Sequence, residues 1–151
     1  MAENVKLISI IGLERLNELS VLDLKRTPLS IDLNVSRHPM LYSLSIRDTL
    51  IRKVNADVPL LNLTYFDAGN TKLCDSAVIL QFPSLKVLNL CGTAISEIPK
   101  MDRFRSLEIL NISNTHVIDL PPLVTTAFLK YKVFQKDTLH IETACSKCNV
   151  S

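Results

Sequence analysis

Apolar residues recur along the chain in a fixed frame of 22 residues. Two stretches show it clearly: LKVLNLCGTAI at 85–95 and LEILNISNTHV at 107–117 have apolar residues at the same offsets and threonine in ninth place. The opening leucine of the frame recurs without insertion at Leu19, Leu41, Leu63, Leu85 and Leu107. Consecutive units on one frame indicate a repeat architecture, in which each unit is one supersecondary element.

The first half of each unit predicts a short β-strand. Its consensus is L-x-x-L-x-L-x-x-T-x-[LIV], and in the segment x-L-x-L-x the two apolar side chains fall on one face of an extended chain. One unit cannot bury these leucines alone, so we expect neighbouring units to stack and share their cores.

The second half of each unit predicts a tight 3₁₀-like or extended connection. Apolar residues recur there at every third position, as in Ile95, Ile98, Met101 and Phe104, and likewise in Leu13, Leu16 and Leu19 of the first unit. Prolines also recur in these connections, where they disfavour a full α-helix. They are Pro39, Pro59, Pro83, Pro99 and Pro121.

The consensus resembles that of the leucine-rich repeat family, L-x-x-L-x-L-x-x-N/C-x-L, with threonine in place of the usual asparagine. The resemblance covers about residues 5–129 and is greatest to the 22-residue subclass found in phosphatase regulators and internalins. It implies an α/β-type solenoid that is mostly β. This would be a right-handed superhelix with a parallel sheet on its concave face and an irregular or 3₁₀ convex side.

The threonines of the frame predict a hydrogen-bonding ladder. A hydroxyl can both donate and accept, and the backbone of a buried turn needs such partners. The members are Thr27, Thr49, Thr71, Thr93 and Thr115. Ala68 is small among the Leu and Ile residues that fill its position in the other units, which predicts a local bend or a compensating neighbour.

The frame predicts where the repeats end. Continued forward, it puts Lys132 and Asp137 at core positions, which is incompatible with another ordinary unit. We therefore assign 1–129 to the repeat array, with about five full units and a partial N-terminal one, and 130–151 to a closing segment and tail. Weak alternation around Val133 is typical of a closing strand or hairpin.

The outward strand positions predict a partner-binding surface on the concave face. An apolar stripe with one aromatic residue lies beside a polar stripe, a pattern typical of protein-binding surfaces. The residues we expect to contact the partner are Tyr65, Asp67, Val87, Asn89, Ile109 and Asn111. The alternative explanation is that β-branched residues simply favour strands.

The sequence therefore predicts a non-catalytic protein–protein interaction module or scaffold with a protein partner and no small-molecule substrate. Two alternatives are a regulatory subunit that docks a phosphatase or another enzyme, and a fragment of a larger leucine-rich repeat receptor or adhesin.

Composition and net charge limit the classes of partner that we expect for this chain. The 151 residues are 47% hydrophobic and 21% charged, as in ordered globular proteins, and the formal net charge is only +2. Such a charge gives no electrostatic reason to bind nucleic acid or an anionic membrane. No apolar run approaches the roughly 18–20 residues that span a bilayer. We predict neither nucleic acid nor membrane as a partner.

Candidate chemistry is sparse. The only metal-like group is His140 with Cys145 and Cys148, and it has no second ligand pair at zinc-site spacing, so we predict no metal and no cofactor. Cys91 falls on the predicted concave face without a histidine in register, where we expect a small contact residue. Glycine-rich phosphate loops are missing from the sequence, and we predict that the chain is not an enzyme.

The cysteine pattern favours the cytoplasm, or the nucleus, over secretion, because two cysteines stand singly in repeats and two lie three apart near the C-terminus. Four glycosylation sequons begin at Asn34, Asn62, Asn111 and Asn149. Asn111 lies within a predicted strand, an unsuitable place for a glycan, although a secreted adhesin would account for the sequons.

Overall fold

The computed structural model describes residues 10–100 and 104–118, and the backbone of residues 132–134. The chain winds as a solenoid of short strands. These are β1 (Val21–Asp23), β2 (Asp32–Asn34), β3 (Ser43–Ser45), β4 (Lys53–Asn55), β5 (Tyr65–Asp67), β6 (Val87–Asn89), β7 (Ile109–Asn111) and β8 (Lys132–Phe134). A six-stranded sheet has the order β1-β3-β5-β6-β7-β8, and β2 pairs with β4 in a second sheet. The predicted parallel-strand solenoid is confirmed.

The register of the main sheet repeats the 22-residue frame of the sequence. All of its neighbours are parallel, and the central core residue of each strand lies opposite its equivalent in the next repeat. This column runs through Leu22, Leu44, Phe66, Leu88 and Leu110. Identical registers let each repeat cover the apolar residues of the previous one.

The last described strand departs from the frame by one residue. β8 pairs in parallel with β7, and Val133, rather than Lys132, lies opposite Leu110. The step is therefore 23 residues (133 − 110), and the shift gives an apolar residue the core register that the frame assigned to lysine. Over 132–134 the chain extends the sheet and does not form a hairpin with β7. The boundary at 129 and 130 stays a prediction.

The core lies between the main sheet and the convex connections, and Leu, Ile and Val side chains dominate it. Ala68 is fully buried, in the repeat that also contributes two phenylalanines. The rings of Phe66 and Phe82 pack edge to face with centroids 5.4 Å apart. The local bend or compensating neighbour expected at Ala68 stays a prediction.

Among the described residues, the convex side contains two 3₁₀ turns, Leu13–Arg15 and Ala77–Gln81, as the three-residue period predicts. In the fourth unit, Ile98, Phe104 and Leu107 are buried, and Met101 lies outside the described residues. Leu16 is the exception, because half of its surface is exposed.

The second sheet corrects the expectation of an irregular convex side for two repeats. β2 and β4 pair in parallel, with Leu33 opposite Val54, and both of these side chains are buried. The sequence contains a signal for β2, because apolar and polar residues alternate in I-D-L-N-V at 31–35, which is a strand pattern.

A left-handed turn follows each described repeat strand of the first five units. One residue in each turn has a positive φ between 55° and 66°, a conformation that favours Gly, Asn and Asp. These residues are Arg26, Asp48, Asn70, Gly92 and Asn114. The turn exposes the strand-end carbonyls, which the next residue in the chain then satisfies.

That next residue is the threonine of the frame. The Thr93 hydroxyl donates to the Leu90 carbonyl oxygen at 2.7 Å, and the other four threonines bond equivalently, three residues back in the chain. The predicted ladder is confirmed as a set of hydrogen bonds, but each bond closes a turn within its own repeat. Between repeats the backbone itself makes the bonds, as from the Asn70 N–H to the Cys91 carbonyl at 2.7 Å.

Candidate functional site

The concave face of the main sheet carries a continuous row of partly exposed side chains, which we call the outer row. Its members lie in register at the first residue of five neighbouring strands. They are Val21, Ser43, Tyr65, Val87 and Ile109. At a spacing of about 4.8 Å between strands, the row extends for roughly 19 Å. Three of the predicted contact residues, Tyr65, Val87 and Ile109, belong to it and keep part of their surface exposed.

A second row, the inner row, lies two residues further along the same strands and consists of Asp23, Ser45, Asp67, Asn89 and Asn111. The sequence predicted the last three as partner contacts. Their exposed fractions are only 5%, 2% and 1%.

The inner-row Asp and Asn side chains are bound to the backbone of their own repeat. Oδ1 of Asp67 accepts the Gly69 N–H at 2.9 Å, and Oδ1 of Asn89 accepts the Cys91 N–H at 3.1 Å. Asn111 makes the equivalent bond to the residue two positions on. These side chains therefore cap strand ends, as Asp and Asn do in turns, and in the free protein they offer almost no contact surface.

Cys91 follows the inner row and is fully buried, so the expectation that it is a surface contact residue is wrong. Its equivalents in the other repeats are Lys25, Arg47, Gly69 and Ser113. The side chains of this row are long and charged in the first two repeats and small in the next three.

The charged part of the concave face lies on the N-terminal strands. Nη1 of Arg47 lies 3.7 Å from Oδ2 of Asp67, and its Nε lies 3.6 Å from Oδ2 of Asp48. Lys25 pairs with Asp23 at 3.0 Å. Arg26 lies 3.9 Å from Asp48, so that three cations face three carboxylates in this group.

The Asp67 carboxyl has a raised pKa. Burial raises the pKa of the Asp67 carboxyl, against the lowering effects of the Gly69 N–H and the Arg47 guanidinium. Burial also raises the pKa of the Tyr65 hydroxyl, with a further contribution from the negative Asp67. The Tyr65 hydroxyl lies 3.5 Å from Oδ2 of Asp67, which holds the ring over the sheet.

On β6 and β7 the outer and inner rows of the concave face contain no charged residue. Val87 and Ile109 lie side by side on β6 and β7, above the buried amides of Asn89 and Asn111. With Tyr65 on the neighbouring strand they form an apolar stripe whose polar neighbours are already hydrogen-bonded.

Over residues 10–100 and 104–118, His, Cys, Asp and Glu side chains do not converge in a group that could hold a metal ion. The predicted metal-like residues His140, Cys145 and Cys148 lie outside the described residues. Within the described part, none of the helices has the length and apolar character needed to cross a membrane.

Several solved structures resemble this solenoid. The functional domain of InlJ from Listeria monocytogenes superposes with a TM-score of 0.71 at 24% sequence identity, over 95% of this chain and 31% of that one. The chain has the leucine-rich repeat fold. The internalin InlF of the same organism matches with a TM-score of 0.60 at 18% identity, over 85% of this chain and 51% of that one.

A third structure, the internalin InlC2 of L. monocytogenes, matches with a TM-score of 0.51 at 20% identity, over 88% of this chain and 78% of that one. No protein-family model and no curated protein matches the sequence. This leucine-rich repeat chain spans about a third of the InlJ domain. That domain includes a cysteine ladder. In this chain the row that contains Cys91 has no second cysteine in the five repeats of the frame.

Proposed function

We propose that this leucine-rich repeat chain is a non-catalytic interaction module that binds a protein partner on the outer row of its concave face. The observation that carries the proposal is the apolar stripe of Tyr65, Val87 and Ile109, which stays partly exposed in register across three strands. The leucine-rich repeat fold, shared with internalins, supports an interaction role in general.

The burial of the inner row sharpens the proposed contact surface. Asp67, Asn89 and Asn111 act as supports, because their side-chain oxygens hold the strand ends on which the stripe lies. A partner would then contact Tyr65, Val87 and Ile109 directly. Tyrosine beside β-branched residues on a rigid support is a common composition of binding hot spots.

The test is binding by outer-row variants to the partner recovered with the wild-type chain. Val87→Glu and Ile109→Glu put a charge into the stripe and should weaken binding at least tenfold, because a buried unpaired charge is costly at an interface. Val58→Glu is the matched control, since Val58 is an exposed valine in the connection after β4.

Stability must be measured in the same samples. Partly exposed positions should tolerate the substitutions with little change in unfolding free energy, so weaker binding with an unchanged melting curve supports the proposal. Recovery of the same partner with equal affinity by Val87→Glu, Ile109→Glu and the control would reject the concave face as the binding surface.

The resemblance to internalins gives a reason to test a secreted adhesin as the second candidate. The cytoplasmic location stays a prediction, and mass spectrometry of the native protein for glycans or a removed leader tests it. Asn111 carries one of the sequons and is almost completely buried, so a glycan found there would contradict the fold as well as the location.

A further inference from the structure

A cavity of about 430 Å³ lies on the convex side, beside the second sheet. We call it the convex cavity, and its lining residues are Glu14, Asn34, Ser36, Arg37, His38 and Asp57. None of these residues belongs to the main sheet, so the cavity is separate from the outer row. Its volume is within the range of pockets that accept small ligands or single side chains.

His38 is the unusual residue of this cavity. It occupies a core position that recurs every 22 residues, where the following repeats have the buried residues Leu60, Phe82 and Phe104. The imidazole is only 1% exposed. A polar ring in an apolar column needs a reason, and a leucine would fill the position without requiring a hydrogen bond.

The hydrogen bond of His38 defines the proton position on its ring. Nδ1 lies 3.0 Å from the backbone carbonyl oxygen of Leu16. A carbonyl can only accept, so Nδ1 carries the proton, and Nε2 of the neutral ring has a lone pair.

Nε2 is the atom by which His38 reaches the cavity. In the described part of the chain, every fully buried polar side-chain atom has a hydrogen-bond partner. The imidazole of His38 makes its hydrogen bond through Nδ1, so Nε2 is not one of these fully buried atoms. The second nitrogen must therefore retain access to the space that the ring lines. The cavity thus contains an acceptor on an almost completely buried side chain.

Two carboxylates add negative charge around this acceptor. Asp57 is fixed by Ser36, whose hydroxyl donates to Oδ2 of Asp57 at 3.0 Å and accepts the Asp57 N–H at 2.8 Å. Glu14 enters from the first 3₁₀ turn. Glu14 has Arg15 as a neighbour, with Nε of Arg15 4.0 Å from Oε1 of Glu14. The Asp57 carboxylate, which its bonds with Ser36 hold in the lining, is therefore the group that favours a cation, and Arg37 is the cation of the lining that opposes it.

We propose that the convex cavity binds a primary ammonium group, which donates one N–H to Nε2 of His38 and is attracted by the carboxylates of the lining without contacting both of them. A metal ion fits less well, because these side chains do not form one of the converging groups that a metal requires. The ammonium can come from a lysine side chain of a protein partner or from a small free amine.

The experiment is an NMR titration of the whole ¹⁵N-labelled chain at neutral pH. The probes are Nα-acetyl-lysine methylamide, which represents a lysine side chain, ethylammonium, which represents a free amine, and tetramethylammonium, which has the charge but no N–H. Both primary ammonium probes should shift the Nε2 resonance of His38, and tetramethylammonium should not. Tighter binding of the lysine probe assigns the site to a partner's lysine, and equal binding assigns it to a free amine.

Variants test the same assignment independently. His38→Leu matches the residue at position 60 and should weaken binding of both probes about tenfold, the loss of one hydrogen bond to a charged group. Arg37→Ala should strengthen it about twofold to fivefold by removing a repelling charge. Asp75→Asn is the control, because Asp75 is an exposed aspartate that also caps a turn but lies outside the cavity.

Two results would overturn the proposal. One is an equal response to tetramethylammonium, and the other is unchanged probe binding by a folded His38→Leu variant. If His38→Leu does not fold, the Arg37→Ala variant provides the test. Ethylammonium that binds Arg37→Ala no more tightly than it binds wild type would contradict a cation site.

Discussion

The guanidinium of Arg47 lies in the space that Gly69 leaves open at the end of the neighbouring strand. A Cβ atom on Gly69 would lie 2.9 Å from Nη1 of Arg47 and 3.1 Å from Oδ1 of Asp67. The missing side chain thus allows the arginine to approach the buried carboxylate of the next repeat. A side chain at this position would therefore compete with the contact between Arg47 and Asp67.

Gly69→Ala should lower the unfolding free energy by about 1 kcal/mol, because the new methyl group must displace Arg47 from Asp67. Urea denaturation of wild type, Gly69→Ala, Arg47→Ala and the double variant measures the effect. The loss of unfolding free energy in the double variant should be smaller than the sum of the losses in the two single variants, because Arg47→Ala removes the obstructing guanidinium. Additive losses would mean that the contact between the two residues is unimportant.

Thr93→Val should cost about 1 kcal/mol of unfolding free energy. Valine keeps the shape but removes the buried hydroxyl that donates to the Leu90 carbonyl oxygen at 2.7 Å. Thr93→Ser keeps the hydroxyl donor and should lose less unfolding free energy than Thr93→Val. Thr64→Val is the control, because its hydroxyl bond to the Tyr42 carbonyl oxygen is 3.2 Å long and exposed. Equal losses of unfolding free energy in Thr93→Val and Thr64→Val would show that the buried hydroxyl stabilises the fold no more than the exposed one.

Gly92→Ala should destabilise the chain by about 1–2 kcal/mol. Gly92 has a φ of +66°, which costs a residue with a Cβ about that much, and its Cβ would also collide with Oδ1 of Asn70 in the preceding turn. Asn114→Gly at the equivalent turn, with a φ of +55°, should change stability by only a few tenths of a kcal/mol. Thermal unfolding of the two variants compares the positions directly. A similar loss of stability in both would show that the positive φ of Gly92 does not require a glycine.

The repeat frame made most of the fold predictable. A step of 22 residues determined which strands pair, and the register of Leu88 opposite Leu110 follows from it directly. The one-residue shift at β8 could not be read from the frame, because pairing in the sheet selects the apolar Val133 over Lys132 only when the strand is assembled. The register of a strand is a property of both partners.

The concave surface was less predictable than the fold. Alternation correctly placed Asn89 and Asn111 on the outward side of their strands, but it gave no measure of exposure. Each side chain instead folds back to the N–H two residues later, and neighbouring repeats cover it. A signal was present in the sequence, since Asp or Asn recurs at four of the five inner-row positions, a residue choice typical of turns.

The convex cavity was also missed, for a related reason. The frame marks His38 as a substitution in an apolar column, 22 residues before Leu60, but it gives no measure of the space beside the ring. His38→Leu should change the unfolding free energy by less than about 1 kcal/mol, because the Leu16 carbonyl keeps the Leu19 N–H at 3.1 Å. His38→Ala should cost about 2–3 kcal/mol through the cavity it leaves. Chemical denaturation distinguishes them, and a large loss in the leucine variant would mean that the imidazole holds the fold.

Asp67→Asn should change the pH dependence of stability in a defined direction. Burial raises the pKa of the Asp67 carboxyl above its ordinary value of 3.8, so just above that pH the folded state holds more protons than the unfolded state. Wild-type stability therefore falls as the pH rises through this window and stays lower above it. Asparagine removes that contribution and keeps an acceptor for the Gly69 N–H, as Asn89 does for Cys91.

The measurement is the unfolding free energy of both proteins between about pH 3 and about pH 7, where the advantage of Asp67→Asn over wild type should grow as the pH rises. Asp23→Asn is the control in the same row. For Asp23 burial is the largest single influence and raises the pKa, but the side-chain bond, the N–H and the charge of Lys25 together lower it further, so the net pKa is lowered and the sign should reverse. An advantage of Asp67→Asn that shrinks as the pH rises would show that pairing with Arg47 outweighs burial.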